Sequence, residues 1–232
     1  FELLGACLIF PSISNHIEGK GLAIFYSVFH SISAFCNAGF SLFQNSLELF
    51  STELPFILVI SILIFVGGIG FPVIFEVFHR YIIKDKYRIK VQTKLAIVIS
   101  IGLVIIGTGI IYVNQLFFSH HELSFTMSVF QSVSARTAGF TVMPMEHLSS
   151  ASIWIIILLM FIGASPGSTG GGIKTTTFGL LVVALISTMK SKNKIQIYDR
   201  EISHQQIFKA LAILVASFTI VFFSFFVLLI SE

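Results

Sequence analysis

The 232-residue chain is 55% hydrophobic and only 11% charged, with 26 phenylalanines and a mean hydropathy of +0.95. A soluble globular domain carries about 25% charged residues, so this composition excludes that class and points to an integral membrane protein. The formal net charge is +3 and no nucleic-acid partner is expected; Cys7 and Cys36, both in apolar or membrane-depth surroundings, argue against a disulfide framework or a metal cluster.

A spanning helix needs about 20 apolar residues, and roughly four or five such segments fit the length. In chain order, the apolar run Phe1–Phe10 stops before Pro11 and reads as the tail of a spanning helix that ends outside. Because residue 1 is Phe, the chain is expected to be part of a longer polypeptide. Leu22–Phe35 is apolar at helical spacing but, at about 1.5 Å per residue, too short to cross, so it must dip in and return. Pro55–Phe78 is expected as a full inward span, with Gly67, Gly68, Gly70 and Pro72 toward its inner half. Leu95–Phe118 runs back out, Glu122–Ala135 is a second dip, Ala151 begins another inward span, and Phe208–Ile230 opens a further unit.

Charge orients these segments. Six of the 14 basic residues (Arg80, Lys84, Lys86, Arg88, Lys90, Lys94) fall in the loop at 79–94, and five more (Lys190, Lys192, Lys194, Arg200, Lys209) in or beside the loop at 190–207. Under the positive-inside rule both loops are cytoplasmic. Glu18, Glu48, Glu53, Glu122 and Glu146 then lie outside, where they concentrate cations or act as ordinary solvated loop charge.

Two stretches nearly repeat each other. Ser27-Val-Phe-His-Ser-Ile-Ser-Ala34 leads into Cys36-Asn-Ala-Gly-Phe40, and Ser128-Val-Phe-Gln-Ser-Val-Ser-Ala135 leads into Arg136-Thr-Ala-Gly-Phe140, with Phe35 extra in the first copy. Such self-similarity marks a duplicated structural unit. Backbone carbonyls can replace the water shell of an alkali cation only where the chain turns its oxygens to one axis, which favours glycine. Gly39 and Gly139 sit at that turn. The dipping helices end near the membrane centre, where their carbonyl ends favour a cation. The candidate ion filter comprises Cys36, Asn37, Ala38, Gly39, Phe40, Arg136, Thr137, Ala138, Gly139 and Phe140, acting through the carbonyls of Asn37, Ala38, Thr137 and Ala138. Phe40 and Phe140 are expected to wedge these strands against surrounding helices or simply to pack in the core, and His30 and Gln131 to make local packing hydrogen bonds. Arg136 at membrane depth is a functional candidate. Facing a pore it would repel a cation, so it is expected to point behind the strand and bond carbonyls at the end of the short helix; the alternative is an anchor with no part in conduction.

Gly163 to Thr177 interrupts an apolar span with glycines at 163, 167, 170, 171 and 172, together with Ser165, Pro166, Ser168 and Thr169. Glycine costs about 1 kcal/mol and an interior proline about 3 kcal/mol relative to alanine, so the helix should break there. Lys174 is expected to mark the inner end of this loop, where its ammonium reaches water. The run resembles a phosphate-binding loop, but Ile173 separates Gly172 from Lys174 and the flanks are membrane helices. His120-His121-Glu122 is a tempting metal triplet, yet adjacent loop residues do not converge on one ion, and no nucleophile elbow is present. An enzyme is not expected.

Phe35-Cys-Asn-Ala-Gly-Phe40, Ser134-Ala-Arg-Thr-Ala-Gly-Phe140 and Gly163-Ala-Ser-Pro-Gly-Ser-Thr-Gly-Gly-Gly-Ile-Lys-Thr-Thr-Thr177 together resemble the Trk/Ktr/HKT potassium transporter family, within it the KtrB-type membrane subunit, over essentially the whole chain. The resemblance implies an all-α membrane protein of helix, re-entrant pore loop and helix units, four of them in pseudo-fourfold array around a central pore. It implies that residues 1–78 are the second unit with a truncated first helix, 79–94 a cytoplasmic basic loop, 95–189 the third unit with its broken inner helix, 190–207 a cytoplasmic loop and 208–232 the first helix of the fourth. It also implies K+ uptake across the plasma membrane, with Gly163, Ser165, Pro166, Gly167, Ser168, Thr169, Gly170, Gly171, Gly172 and Lys174 forming a gate beneath the filter. A homodimer, a cytosolic nucleotide-binding regulatory subunit and possible Na+ dependence follow from it too, with nucleotide on the partner only and no covalent cofactor. A Na+-permeable relative is the alternative. Two of the four filter strands are present, so this segment cannot complete a filter alone.

Overall fold

The computed structural model describes residues 1–84, 88–118, 124–191, 194–198 and 200–231. Lys86, His120, His121, Glu122 and Lys192 lie outside the described residues. The fold is helical: α1 (Glu2–Ser14), α2 (Lys20–Phe35), α3 (Leu54–Ile69), α4 (Phe71–Tyr81), α5 (Val91–Phe118), α6 (Phe125–Ser134), α7 (Ser150–Phe161), α8 (Thr175–Met189) and α9 (His204–Ser231). A two-residue antiparallel hairpin, β1 (Gln196–Ile197) with β2 (Arg200–Glu201), precedes α9.

Several expected boundaries are corrected. Helix α1 continues through Pro11 to Ser14, the proline removing the one amide that would donate to Cys7 O. The anticipated straight span Pro55–Phe78 is instead two helices bent by 99° at Gly70, whose φ of 94° suits glycine alone. Among the described residues two helices, within α5 and α9, are long and apolar enough to cross a membrane, or three if the bent pair counts as one, fewer than the four or five expected. The basic loop expected at 79–94 shrinks to the residues between Tyr81 and Val91, and the loop after α8 carries the hairpin before α9 starts at His204.

The chain folds as two copies of one arrangement, α1-α2-α3 and α5-α6-α7. In each, the re-entrant helix donates three equivalent serine hydroxyls. Ser27 and Ser128 return to their own helix backbones at Ala23 O and Ser124 O. Ser31 and Ser132 reach the preceding helix at Glu2 O (2.6 Å) and Val104 O (3.0 Å). Ser33 and Ser134 bond Phe40 O (2.8 Å) and Phe140 O (2.6 Å). At the crossings Gly5 and Gly107 sit where an added Cβ would strike Ser31 Oγ and Leu63, or Ser132 Oγ and Leu159. Membrane helices gain little from apolar burial between themselves, so close backbone approach over small residues supplies the packing.

One core joins the two copies. Ile9, Ile60 and Ile64 of the first meet Phe130 and Val133 of α6, capped by Phe50 stacked on Phe56 at 4.1 Å. Outside it, the lateral faces are apolar and exposed; in α9 only Ala210 is buried.

Candidate functional site

After α2 and α6 the chain turns through matched corners. Asn37 and Thr137 have φ of 52° and 73°, and Gly39 and Gly139 have φ of 70° and 87°. The amides of Ala38 and Ala138 bond back to Ser33 O (2.9 Å) and Ser134 O (3.0 Å), while the serine hydroxyls hold Phe40 O and Phe140 O. These bonds fix both ends of each corner. Between them, the carbonyls of Asn37, Ala38, Gly39, Thr137, Ala138 and Gly139 accept no hydrogen bond among the described residues. Non-helical backbone with unpaired carbonyls is admissible at membrane depth where it is buried in protein or lines a water-filled path.

The corners approach each other directly. A Cβ on Gly39 would collide with the carbonyl of Ala138, and the same atom on Gly139 would sit 3.7 Å from Gly39 Cα. Beyond them, Thr141 ties the two copies together, its amide donating to Ser46 Oγ (3.0 Å) and its carbonyl accepting from Leu47 N (2.9 Å). A cavity of about 350 Å3 lies alongside, lined among others by Asn37, Ala38, Gln131, Thr137, Ala138 and Gly139. Asn37 Oδ1, Gln131 Nε2 and Thr137 Oγ1 are buried without partners among the described residues.

Not every candidate behaves as expected. Gln131 makes no local side-chain bond through Nε2, unlike its counterpart His30, whose Nδ1 donates to Tyr26 O and whose Nε2 accepts from Leu42 N. The reason is sequence order: in the first copy the ring meets the loop at 41–43, and the second copy presents no such backbone to Gln131. Phe140 is 1% exposed, but Phe40 is 69% exposed and wedges nothing within this chain. Cys36 is a free, exposed thiol, as is Cys7. Arg136 does not bond the short helix. Its Nη1 donates to Ser100 O (3.2 Å), and its Nη2 donates to Ser100 Oγ (3.1 Å) and Gly163 O (3.4 Å). The end of α6 is already capped by its own backbone turns, leaving α5 and the start of the 162–174 loop as the nearest acceptors.

That loop breaks the span between α7 and α8. Ala164 N bonds Gly171 O (3.0 Å), Thr175 N bonds Ala164 O (3.2 Å) and Ser165 Oγ meets Thr175 Oγ1 (2.9 Å), so the segment folds on itself. Gly163 and Gly172 pack so closely that a Cβ at Gly163 would strike Gly171 O. It then touches both corners. Thr169 Oγ1 donates to Phe35 O (3.1 Å) and accepts from Asn37 Nδ2 (2.8 Å), and Gly170 lies against Thr137 Oγ1. Its other side seats in the bend of the first copy, where Ser165 N bonds Gly68 O (2.9 Å) and Phe71 N bonds Gly167 O (3.0 Å). Lys174, half-buried just before α8, donates to Gly170 O at 2.8 Å.

Sequence reasoning missed Ser31, Ser33, Ser132 and Ser134, although the repeated serine spacing carries them. It also missed Glu76, which is 3% exposed and accepts from Thr93 Oγ1 (2.8 Å) and Lys90 N (3.0 Å), clamping α4 to the start of α5. No group of His, Cys, Asp or Glu able to hold a metal occurs among the described residues.

Residues 1–232 match the family model for TrkH, cation transport protein. The chain is 34% identical over 220 residues to the Ktr system potassium uptake protein B of Vibrio alginolyticus, covering 92% of this chain and 48% of that protein. It is 36% identical over 220 residues to its namesake from Bacillus subtilis, covering 92% and 49%. It is 31% identical over 223 residues to the potassium/sodium uptake protein NtpJ of Enterococcus hirae, covering 92% and 48%. The crystal structure of the potassium transporter TrkH from Vibrio parahaemolyticus shares the fold with a TM-score of 0.73 at 21% identity, over 96% of this chain and 47% of that one. The chain thus spans about half the length of the curated relatives it matches.

Proposed function

The chain belongs to the TrkH family of cation transport proteins, transporters and not enzymes, and from that membership we propose that it supplies two of four filter strands of a K+ uptake protein of the plasma membrane. The observation that carries this reading is the pair of apposed glycine corners, whose carbonyls accept no hydrogen bond among the described residues and of which Asn37, Ala38, Thr137, Ala138 and Gly139 line a cavity of about 350 Å3. A K+ ion entering there exchanges water oxygens for the carbonyls of Asn37, Ala38, Thr137 and Ala138, and the selection lies in the number and field of those dipoles. Ser33 and Ser134 hold the strands so that the ion does not have to organise them.

The 162–174 loop is the gate in this reading. Thr169 and Gly170 rest against both corners, and Gly163, Gly167, Gly171 and Gly172 supply the backbone freedom for Ser165, Pro166, Ser168 and Lys174 to move as a unit. Residues 1–78 and 95–189 are the second and third pore units, and residues 208–232 begin the fourth. A cytosolic nucleotide-binding subunit docks on the basic segments 79–94 and 190–207, and the assembly is a homodimer. A Na+-dependent or Na+-permeable transporter is the second reading, favoured by the relative named a potassium/sodium uptake protein. The test is K+ and Na+ uptake by the full-length protein in potassium-starved cells that lack their own uptake systems, with and without Na+. Restored K+ uptake supports the first reading, Na+ uptake of similar size the second, and neither flux overturns both.

A further inference from the structure

The two re-entrant helices carry different residues at one equivalent position, just ahead of the serines that hold the corners. In the first copy it is His30, whose Nδ1 donates to Tyr26 O (2.8 Å) and whose Nε2 accepts from Leu42 N (3.3 Å), so the ring staples the chain beyond Gly39 to α2. In the second it is Gln131, 2% exposed, whose Nε2 has no partner among the described residues. The strand after α6 keeps the Ser134 bond to Phe140 O but lacks that second staple to its own helix. Thr137 in this strand holds a φ of 73°, a region a β-branched residue occupies only where its surroundings constrain it.

Gln131 lines the cavity of about 350 Å3 beside the corners, together with Asn37, Thr137, Ala138 and Gly139. Asn37 Oδ1 and Thr137 Oγ1 are likewise buried without partners among the described residues. The lining therefore presents both an unsatisfied donor and unsatisfied acceptors. A cation satisfies the oxygens and is repelled by the amide N–H; an anion does the reverse. Water serves both, accepting from Gln131 and donating to the oxygens, and the cavity exceeds the roughly 30 Å3 that one water molecule occupies.

We propose that Gln131 is a positioning residue for the strand 137–139: its carboxamide holds ordered water in this cavity, and that water bonds the strand's oxygens. A bridging water is nearly as good a link as a direct hydrogen bond, so it stands in for the staple that His30 makes in the first copy. The two corners are then held by different means, and discrimination between K+ and Na+ depends on Gln131 although its side chain touches no ion. This role rests on the filter reading above.

The experiment compares the full-length protein with Gln131→Leu and Gln131→His by cryo-electron microscopy, by thermal unfolding in K+-free buffer and by competitive K+ and Na+ uptake. The unaltered protein should show a water peak within about 3.2 Å of Gln131 Nε2. Gln131→Leu removes the donor and releases the water, so the unfolding temperature should fall and discrimination should drop roughly fivefold, the factor of one net hydrogen bond. Removing a donor that had no partner would instead hold or raise the unfolding temperature. Gln131→His places a ring nitrogen there, and because water pairs with a donor or an acceptor alike, it should recover most of both losses. A protein atom in place of water on Nε2, an unfolding temperature that does not fall in Gln131→Leu, or a lowered unfolding temperature with unchanged discrimination would each overturn the proposal. Absent K+ flux in the unaltered protein is a separate result: it sinks the filter reading, while the water peak and the unfolding temperatures still decide whether Gln131 holds water.

Discussion

Gly39 and Gly139 occupy equivalent corners, yet they differ in how they meet a methyl group. Both have positive φ, at 70° and 87°, where a residue with a side chain costs about 1–2 kcal/mol. Only at Gly39 does the new Cβ also collide with Ala138 O, adding about 1–3 kcal/mol of overpacking. Gly39→Ala should therefore lower the unfolding temperature and K+ uptake of the full-length protein more than Gly139→Ala, and equal effects would dissociate the corners. Gly139→Ser, which retains the fold better, should weaken discrimination between K+ and Na+ in competitive uptake; unchanged selectivity would remove that residue from the filter. Arg136 follows a different logic. Truncation to Gln strands Gly163 O in a buried site at about 1–3 kcal/mol and removes the bonds to Ser100, so the variant should be less thermostable without a primary change in ion preference.

At the scale of elements, the loop between α7 and α8 is held on the corners by few bonds. Thr169 makes two of them, to Phe35 O and from Asn37 Nδ2, each worth about 1 kcal/mol net. Thr169→Val keeps the volume and deletes both, so leak flux in the absence of an activating signal should rise by roughly thirtyfold, the factor that about 2 kcal/mol corresponds to. Deleting 170–172 should raise it further, and a normal resting flux in either variant would remove the loop from gating. This interruption is legible in sequence, because a proline and clustered glycines cannot all be accommodated in a helix. The bend at Gly70 is not legible in the same way, since glycine and proline are common in membrane spans that stay straight. What forces it is tertiary: Gly70 meets Pro166 O, and Phe71 N needs Gly167 O, almost a hundred residues away in sequence. The corners themselves are legible because a whole string repeats around them. Gly5 and Gly107 are isolated residues whose equivalence emerges only once both are seen under Ser31 and Ser132. Ser100 could not be paired with Arg136 from spacing at all.

Across the whole molecule, the two basic segments come to one end. Lys94 of α5 lies over the Tyr198 ring at 5.1 Å, joining the region after α4 to the hairpin before α9. The His16–Glu53 pair and the Ser46–Thr141 bond lie between the far ends of the helices, beyond a span that at about 1.5 Å per residue gives α5 a length of roughly 40 Å. A bilayer core about 30 Å thick fits between these ends. With lysine and arginine gathered at one of them, the membrane potential and the anionic inner leaflet both favour that end inside. Ser203→Cys, beside the hairpin, should therefore react with an impermeant maleimide only in inverted vesicles, and Ser51→Cys, in the turn before α3, only in intact cells, each in a background with Cys7 and Cys36 replaced by serine. The opposite pattern would invert the pore and place the 162–174 loop on the outer side of the corners, where it could not close a path from the cytoplasm.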